Sequence, residues 1–354
     1  MSDDAIDNVA RRSGEWLKGD GPQSEIVIST RVRLARNLRG FFFLSRCDAA
    51  AREEVAKAAA AAIRKTRGLK DFVHVDVDAL DDLDRKLLVE RHLISRQHAD
   101  GTGARRVAFD VTESAAIMMN EEDHLRLQVI RSGLRLSECW EEINAIDDAL
   151  DERVEYAFHP QYGYLTACPT NVGTGIRVSV MLHLPALRLT NELEKVGNAA
   201  KAMKLAIRGL FGEGTEALGD FFQVSNQITL GRSEAAIIDD FRTQVIPKII
   251  EYEQAARKAL VKHRSFALDD KIHRAMGLLQ TARLMSSNEA MQCLSHVRMG
   301  VHTGRLKSLD VQTVNELFLH TQPAHLQKLQ GEKLNGEQRS VARAALIRAR
   351  LNPN

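Results

Sequence analysis

Hydrophobic and polar positions in the first two thirds of the chain change repeatedly between strand-like and helix-like spacing. Apolar side chains occupy every second position over residues 177–184, which predicts a strand with one buried face. Short apolar runs bounded by turn residues predict further strands at 25–29, 72–77, 106–111, 115–119, 165–167 and 221–230. Helical spacing predicts helices at 4–18, 49–65, 84–94 and 191–210. Because these elements lack the regular spacing of βαβ units, the pattern favours an α+β fold.

The last third of the chain has a different pattern, in which every periodic segment is helical. Helix-start signals are Asp269 as a cap, the Ser286-x-x-Glu289 capping box of a helix ending near Gly304, Asp310 as a cap and Pro323 in a first turn. A final helix is predicted over 337–351. We therefore place a domain boundary at about 250–265 and predict units at 1–255 and 256–354, the second all-α.

Charge and cysteine usage narrow the class of protein. The 354 residues contain 49 Lys+Arg and 47 Asp+Glu, a net charge of +2 that gives no overall field for nucleic acid or anionic membranes. No apolar run reaches the roughly 18 residues of a spanning helix, and the polar opening segment predicts no signal peptide. Four widely separated cysteines without a CxxC pair indicate a cytoplasmic protein with free thiols and no zinc site.

The first candidate cluster is the arginine-rich segment STRVRLARN at 29–37. If the preceding strand continues through this segment, its period of two places Arg31 and Arg33 on the same face. Guanidinium groups at a strand end are suited to phosphate oxygens, because their paired N–H donors match that geometry. A solvated basic edge is the alternative for arginines in general, although here they continue an apolar strand.

The second cluster, NEEDHLR at 120–126, follows an apolar strand and supports two interpretations equally. Asn120 is a good helix N-cap, and the acidic residues after it would complement a helix dipole. The same acidic residues could instead belong to an active site.

Two glycine-containing clusters come later in the chain: CPTNVGTGIR at 168–177 and RGLFGEGTE at 208–216. The first is neither a Walker loop nor a dinucleotide fingerprint, because the GK[ST] end and the third glycine are absent, and the second alone is a helix end followed by a glycine loop. Each alone is consistent with an ordinary turn, and a lone Cys168 with buried packing.

The four clusters together indicate phosphoryl transfer to a cationic acceptor. Several arginines would neutralise a triphosphate and the charge that develops on the transferring group. A guanidinium has a pKa of about 13.8, so it needs carboxylates to orient it and to take a proton as the N–P bond forms.

These motifs, in this order, resemble those of the guanidino (phosphagen) kinases, and NEEDH together with CPTNxGTxxR is highly specific. Over nearly its whole length the chain is similar to the bacterial protein-arginine kinases, through VERHLIS, FQVSNQITLGRSE and ARAALIRARL. The resemblance implies a glutamine-synthetase-like catalytic fold, an antiparallel sheet flanked by helices, followed by a helical dimerisation domain. It also implies the absence of the separate N-terminal helical domain of the kinases that act on free amino acids.

The resemblance also implies residue roles. Glu122 and Glu213 would hold and deprotonate the acceptor guanidinium, and Cys168 would be the thiolate that tunes its reactivity. ATP would be bound by Ser29, Thr30, Arg31, Val32, Arg33, His92, Arg126, Arg177, Val178, Ser179, Val180, Met181, Arg208, Gly209, Leu210, Phe211 and Gly212. ATP oxygens would hold Mg²⁺, with no protein metal site.

Two departures from the family pattern carry consequences. Creatine and arginine kinases have a histidine at the position where this chain and its protein-directed relatives have a methionine, Met181. We therefore expect an adenine pocket that packs differently. The related proteins have an Arg-Asp pair that binds phosphoarginine, whereas this chain has Arg339 followed by Ser340. Without the carboxylate, Arg339 is left either as a possible phosphate contact or as a solvated helix arginine.

The sequence thus predicts a kinase for arginine side chains in proteins, with a role in stress response. Family resemblance implies a Clp protease, a heat-shock repressor and an activator protein as partners, and a homodimer. The alternatives are a kinase for free arginine or another small guanidine, and a non-catalytic adaptor that binds nucleotide or phosphoarginine.

Overall fold

The structure, a computed structural model, describes residues 2–209 and 218–352. Its strands are β1 (Val27–Arg36), β2 (Val73–Asp76), β3 (Arg106–Phe109), β4 (Ala115–Met119), β5 (Leu125–Ser132), β6 (Phe158–His159), β7 (Gly163–Tyr164), β8 (Ile176–His183), β9 (Leu205–Arg208) and β10 (Phe221–Asn226). Its first helices are α1 (Ser2–Ala10), α2 (Ala49–Lys65), α3 (Asp82–Glu90), α4 (Arg96–Asp100), α5 (Leu136–Asp151), α6 (Pro185–Leu189), α7 (Leu193–Ala202), α8 (Glu234–Asp240) and α9 (Ile246–His263). The C-terminal helices are α10 (Ser265–Thr281), α11 (Ser287–His302), α12 (Val311–His320), α13 (Pro323–Gln330) and α14 (Gly336–Leu351), which we call the helical region.

Eight strands form one antiparallel sheet in the order β2-β3-β4-β5-β1-β8-β10-β9, and β6 pairs only with β7. The predicted α+β class with an antiparallel sheet is therefore confirmed. The arginine-rich strand β1 lies near the centre, between β5 and β8, so its neighbours are distant in sequence. No helix in the described parts of the chain combines the length and apolarity that a membrane span requires.

Several elements differ from the sequence prediction. The strands predicted at 25–29 and 221–230 are β1, which runs on to Arg36, and β10, which ends at Asn226. The predicted helix at 4–18 ends at Ala10, and residues 165–167 form no strand. The helix predicted at 191–210 is wrong beyond Ala202, because Lys204 takes a left-handed conformation (φ 55°) and the chain turns into β9. No element had been predicted for β5 or α5.

The two faces of the sheet are covered differently. On one face, Val32 and Val178 pack in a core with Ile143 of α5. On the other, Ile130, Met181 and other apolar side chains at one end of the central strands pack against the helical region. The remaining part of that second face is open, and it carries the polar side chains described below.

The helical region begins where the strand signals stop, and its caps test the predicted helix starts. Ser286, Asp310 and Pro323 begin helices as predicted: the first two accept backbone N–H groups, and the proline lies in the first turn of α13. Asp269 is not a cap, because α10 already begins at Ser265; its carboxylate instead accepts a hydrogen bond from Arg305. The domain boundary at about 250–265 stays a prediction, and α9 runs through most of it.

Candidate active site

The register of the sheet brings arginines from separate strands onto its open face. Arg33 of β1 lies opposite Arg177 of β8, and Ala35 lies opposite Arg126 of β5. Arg31 is two residues from Arg33 and shares its face, because side chains alternate along a strand. Three antiparallel strands therefore place four guanidinium groups together.

A fifth strand-borne arginine joins them from the edge of the sheet. Arg208 of β9 pairs with Gln223 of β10, and the Gln223 Oε1 atom accepts a 2.7 Å hydrogen bond from Arg31 Nη2. Arg177 donates to Ser225 Oγ at 3.0 Å. Arg31 and Arg177 are thus each held by a neutral polar side chain of β10.

These side chains form the floor of a cleft of about 700 Å³. Its walls include residues from the segments 89–97, 121–122, 168–171 and 227–228. The charged side chains that line its described part are Arg31, Arg33, Arg96, Arg126, Arg177, Arg208, Glu121 and Glu122. Six cations against two anions make the cleft suited to a polyanion such as a nucleotide triphosphate.

Burial and the crowding of positive charge lower the pKa values of two arginines in the floor. Burial, reinforced by the charges of Arg126 and Arg177, lowers the pKa of Arg31 to about 10. Burial and the same neighbours, together with Arg31, also lower the pKa of Arg33, whose buried Nε atom makes no hydrogen bond to a described residue. A bound anion would relieve this repulsion, and that is the physical requirement of a phosphate site.

The segment 120–124 is a tight turn between β4 and β5, so the helix-cap interpretation of NEEDH is wrong. Asn120 has φ 61°, a left-handed conformation that asparagine tolerates, and its N–H donates to His124 O at 3.0 Å. The Asn120 side chain donates to Arg52 O and Ala104 O at 2.7 and 2.9 Å. The turn is thereby fixed with two of its glutamates at the cleft.

Glu121 is committed to holding the turn. Its carboxylate accepts hydrogen bonds from Arg126 Nη1 at 2.6 Å, Ser95 Oγ at 2.5 Å and the Glu122 N–H at 3.1 Å. Although burial opposes ionisation, the charge of Arg126 and these hydrogen bonds lower the pKa of Glu121 to about 2. Glu121 is therefore an ionised structural group, a role that its motif alone did not indicate.

Glu122 lines the cleft, half-buried, and its carboxylate makes no hydrogen bond to a described residue. Burial first, and then the negative charges of Asp123 and Glu121, raise its pKa above the usual value, against the opposing effect of Arg126. A carboxylate with a raised pKa is a stronger base than an exposed one, which is the property needed to accept a proton from a guanidinium.

The last two residues of the motif connect the turn to neighbouring loops. Asp123 Oδ1 accepts hydrogen bonds from Asn37 Nδ2 and from the Ala167 N–H, each at 2.6 Å. His124 Nδ1 accepts from the Leu38 N–H at 3.0 Å, so its Nε2–H donates to the carbonyl of Phe42 at 2.9 Å. Asp123 thereby fixes the residue immediately before Cys168.

Cys168 lies on the wall of the cleft with Thr170, and its Sγ atom is 3.0 Å from Thr170 Oγ1. The loop that carries them is anchored by Thr229 Oγ1, which donates to Thr170 O at 2.9 Å. Gly175 closes the loop at φ 66°, where a Cβ atom would lie 2.7 Å from Ala35 O. Glycine is required there because the loop passes this close to β1.

The other predicted nucleotide residues separate by the face of the sheet that they occupy. A small cavity beside the cleft is lined by Ser29, His92, Ser179 and Met181. Arg31 and Gln223 line both the small cavity and the cleft. The side chains of four others point to the opposite face and are buried there, so only their backbone could reach a nucleotide in the cleft, and the contact stays a prediction: Thr30, Val32, Val178 and Val180.

The remaining predicted residues lie at the end of β9 or far from this part of the sheet. Gly209 directly follows Arg208, whereas Leu210, Phe211, Gly212 and Glu213 lie outside the described residues. Arg339 is on α14, where its Nη1 atom donates to Leu334 O at 2.7 Å. Sequence reasoning missed several residues that line the cleft: Ser95, Arg96, Gln97, Glu121, Asn171, Gln223, Gln227 and Ile228. Of these, Glu121 and Gln223 lie within recognised motifs, whereas Arg96 carries no motif signal.

Comparisons with known proteins show the family to which this chain belongs. Residues 54–256 match the family of ATP:guanido phosphotransferase C-terminal catalytic domains, and residues 265–354 match the protein-arginine kinase McsB C-terminal domain. The chain is 46% identical over 347 residues to a protein-arginine kinase of Symbiobacterium thermophilum, covering 97% of this chain and 98% of the relative. It is 43% identical to a protein-arginine kinase of Halothermothrix orenii, covering 98% and 99%.

The chain belongs to the protein-arginine kinases of the ATP:guanido phosphotransferase family. Solved structures of two other kinases are also similar to this chain. A crystal structure of lombricine kinase is 26% identical with a TM-score of 0.59, covering 69% of this chain and 72% of that one. The duplicated taurocyamine kinase of Schistosoma mansoni, with bound transition-state analogue components, is 26% identical with a TM-score of 0.61, covering 67% of this chain and 34% of that one.

Family membership gives the cleft its chemistry. An ATP:guanido phosphotransferase must hold a triphosphate and a guanidinium together, and the arginine floor and Glu122 supply groups of opposite charge for the two. Within the described residues, no group of three or more His, Cys, Asp or Glu side chains is arranged to hold a metal ion.

Proposed function

We propose that this protein transfers the γ-phosphate of ATP to the guanidino group of arginine side chains in other proteins. The observation that carries the proposal is one cleft in which arginines of β1, β5, β8 and β9 face Glu122 and Cys168. The similar proteins of Symbiobacterium thermophilum and Halothermothrix orenii are named protein-arginine kinases, which favours protein arginine over a small guanidine as acceptor.

The arginine floor would bind the triphosphate and stabilise the charge of the transferring phosphoryl group. Glu122 would orient the acceptor guanidinium and accept one N–H proton as the N–P bond forms. The bridging P–O bond of the γ-phosphate would break at the same time, so that ADP leaves with the electron pair.

Two further roles rest on motif resemblance. Glu213 would be the second carboxylate on the guanidinium, and Cys168 would tune the reactivity of that group without attacking phosphorus. Mg²⁺ would arrive with ATP and shield its phosphate oxygens, with no resident protein site.

A mass-spectrometric assay at neutral pH, where the N–P bond survives, would test the proposal. With Mg²⁺ and ATP, we expect phosphoarginine on a mixed protein substrate and little turnover of free arginine, and Glu122→Ala should abolish the signal. Turnover of free arginine alone would instead favour a small-guanidine kinase. Tight ATP binding without any transfer would favour a nucleotide-binding adaptor.

The wider setting is also proposed from family resemblance. Phosphoarginine would mark proteins for a Clp-type protease in a cytoplasmic stress response, with a heat-shock repressor among the substrates. An activator protein and a homodimer formed through the helical region belong to the same proposal, as does a phosphate contact at Arg339.

A further inference from the structure

The segment 89–97, which joins α3 to α4, has one side in the cleft and the other in the interface with the helical region. The cleft side carries Val89, His92, Ile94, Ser95, Arg96 and Gln97. Glu90 and Arg91 are buried on the other side, with 9% and 1% of their surface exposed. Burial raises the pKa of Glu90 to about 7. Two adjacent ionisable residues buried away from the cleft require partners, because a buried ionisable group without one is costly.

Among the described residues, the hydrogen-bond partners of Glu90 are on α13. Its two carboxylate oxygens accept the N–H groups of Ala324 and His325 at 2.8 and 2.9 Å, and one accepts from His325 Nδ1 at 2.8 Å. The first two are N–H groups that a helix leaves unsatisfied at its N-terminus, where a negative charge is also favoured. Glu90 therefore fastens the segment 89–97 to the start of α13.

Arg91 completes the connection. Its Nε and Nη2 atoms donate to Glu113 at 2.7 and 2.6 Å, and its Nη1 atom contacts His325 Nε2 at 3.1 Å. Because an arginine can only donate, His325 Nε2 accepts, and the ring proton is on Nδ1, where it donates to Glu90. Burial and the charge of Arg91 lower the pKa of His325, in agreement with this neutral ring.

The cleft side of the segment is held equally firmly. His92 has φ 62°, a left-handed conformation that is rare outside glycine, and its carbonyl accepts from Gln128 Nε2 at 2.6 Å. The His92 ring meets Trp16 edge-on at 4.6 Å between centroids. Three residues further on, Ser95 donates to Glu121, the carboxylate that pairs with Arg126.

We propose that Glu90 and Arg91 are positioning residues for nucleotide binding: docked on His325 of α13, they hold His92 and Ser95 in place at the cleft. The proposal rests on the proposed function of the cleft. It makes docking of the helical region a condition of ATP affinity, acting through one segment of nine residues.

ATP affinity and Trp16 fluorescence would test this role. The chain has two tryptophans, so a Trp140→Phe background leaves Trp16, which contacts His92, as the reporter. Glu90→Gln, His325→Gln and the milder Arg91→Lys each disturb the network. Lys328→Met is the matched control, because it removes ion pairs from α13 to Asp7 and Asp84 and leaves the segment 89–97 alone.

We expect the three network variants to raise the Kd of a non-hydrolysable ATP analogue with Mg²⁺, and the KM for ATP, by roughly threefold to thirtyfold. They should also shift the Trp16 emission maximum, while the control stays within about twofold of the parent. Folded network variants with unchanged Kd and emission would overturn the proposal. If these binding effects are observed but the parent protein forms no phosphoarginine, the proposed function fails while the positioning role stands.

Hydrogen exchange on the unaltered protein gives a test that needs no substitution. Coupling between two sites is reciprocal, so binding of the ATP analogue should slow exchange at the amides of Ala324 and His325. Unchanged exchange at both amides under saturating analogue would contradict the proposal, even if every variant fails to fold.

Discussion

Three consecutive carboxylates in the turn after β4 have different properties because their surroundings differ. Glu121 is paired with Arg126 and has its pKa lowered to about 2, whereas Glu122 has its pKa raised by burial and by its acidic neighbours. Burial also raises the pKa of Asp123, whose carboxylate accepts hydrogen bonds from the Ala167 N–H and the Asn37 side chain. Of the three, only Glu122 combines access to the cleft with the character of a base.

Substitution of Glu122 by glutamine should lower kcat by about 10²- to 10⁴-fold, the usual contribution of a general base. In the parent enzyme, kcat should rise with pH as Glu122 loses its proton, at a higher pH than for an exposed glutamate because its pKa is raised. This rise of kcat with pH should be absent for Glu122→Gln. A matched substitution at the exposed Glu141 should leave both rate and profile unchanged.

At the scale of elements, local signals decided where most helices begin, and long-range pairing decided where strands run. Asp310 caps α12 by accepting the Thr313 N–H at 2.7 Å and the Thr313 hydroxyl at 2.7 Å. Asp269 is the same residue type in a similar context, yet it lies inside α10. A carboxylate stabilises a helix end only where the backbone N–H groups are unsatisfied.

Asp310→Ala should lower the free energy of unfolding by about 0.5–2 kcal/mol, the range for loss of an N-cap. Asp269→Ala removes a partly exposed ion pair and should cost about 0–1 kcal/mol. Despite a burial effect in the other direction, the Thr313 hydrogen bonds lower the pKa of Asp310, so its stabilisation should decrease as pH falls through the folded-state pKa. Denaturant unfolding at neutral and acidic pH would measure the loss for both variants. A loss at Asp310 that does not decrease at acidic pH would contradict its assignment as a cap.

At the scale of the whole molecule, buried polar groups join the helical region to the sheet. Arg298 of α11 is fully buried and donates to Asn315 Oδ1, to the backbone carbonyls of Glu25 and Ser24, and to His183 Nδ1, over 2.6–3.1 Å. One side chain thus connects two helices of the helical region with β8 and the segment before β1. Burial and the charge of Arg257 lower the pKa of Arg298 to about 9.

Arg298→Ala should destabilise the protein by about 3–5 kcal/mol, because it leaves several buried acceptors without a donor. The exposed Arg274 of α10 provides the control, and its alanine variant should change stability by less than about 0.5 kcal/mol. Thermal unfolding followed by circular dichroism would measure both. A small effect at Arg298 would show that the two parts of the molecule are joined mainly by apolar contacts.

The amino-acid sequence by itself determined the α+β class, the change to helices after about residue 251 and several helix caps, because these depend on neighbours along the chain. Its motifs also identified the arginines, Glu122 and Cys168 as one site. Only the tertiary structure decided that Glu121 is held by Arg126, and that Glu90 and Arg91 meet α13. The physical reason is that strand register and burial depend on residues far apart in sequence, and these long-range contacts decide which side chains reach the cleft.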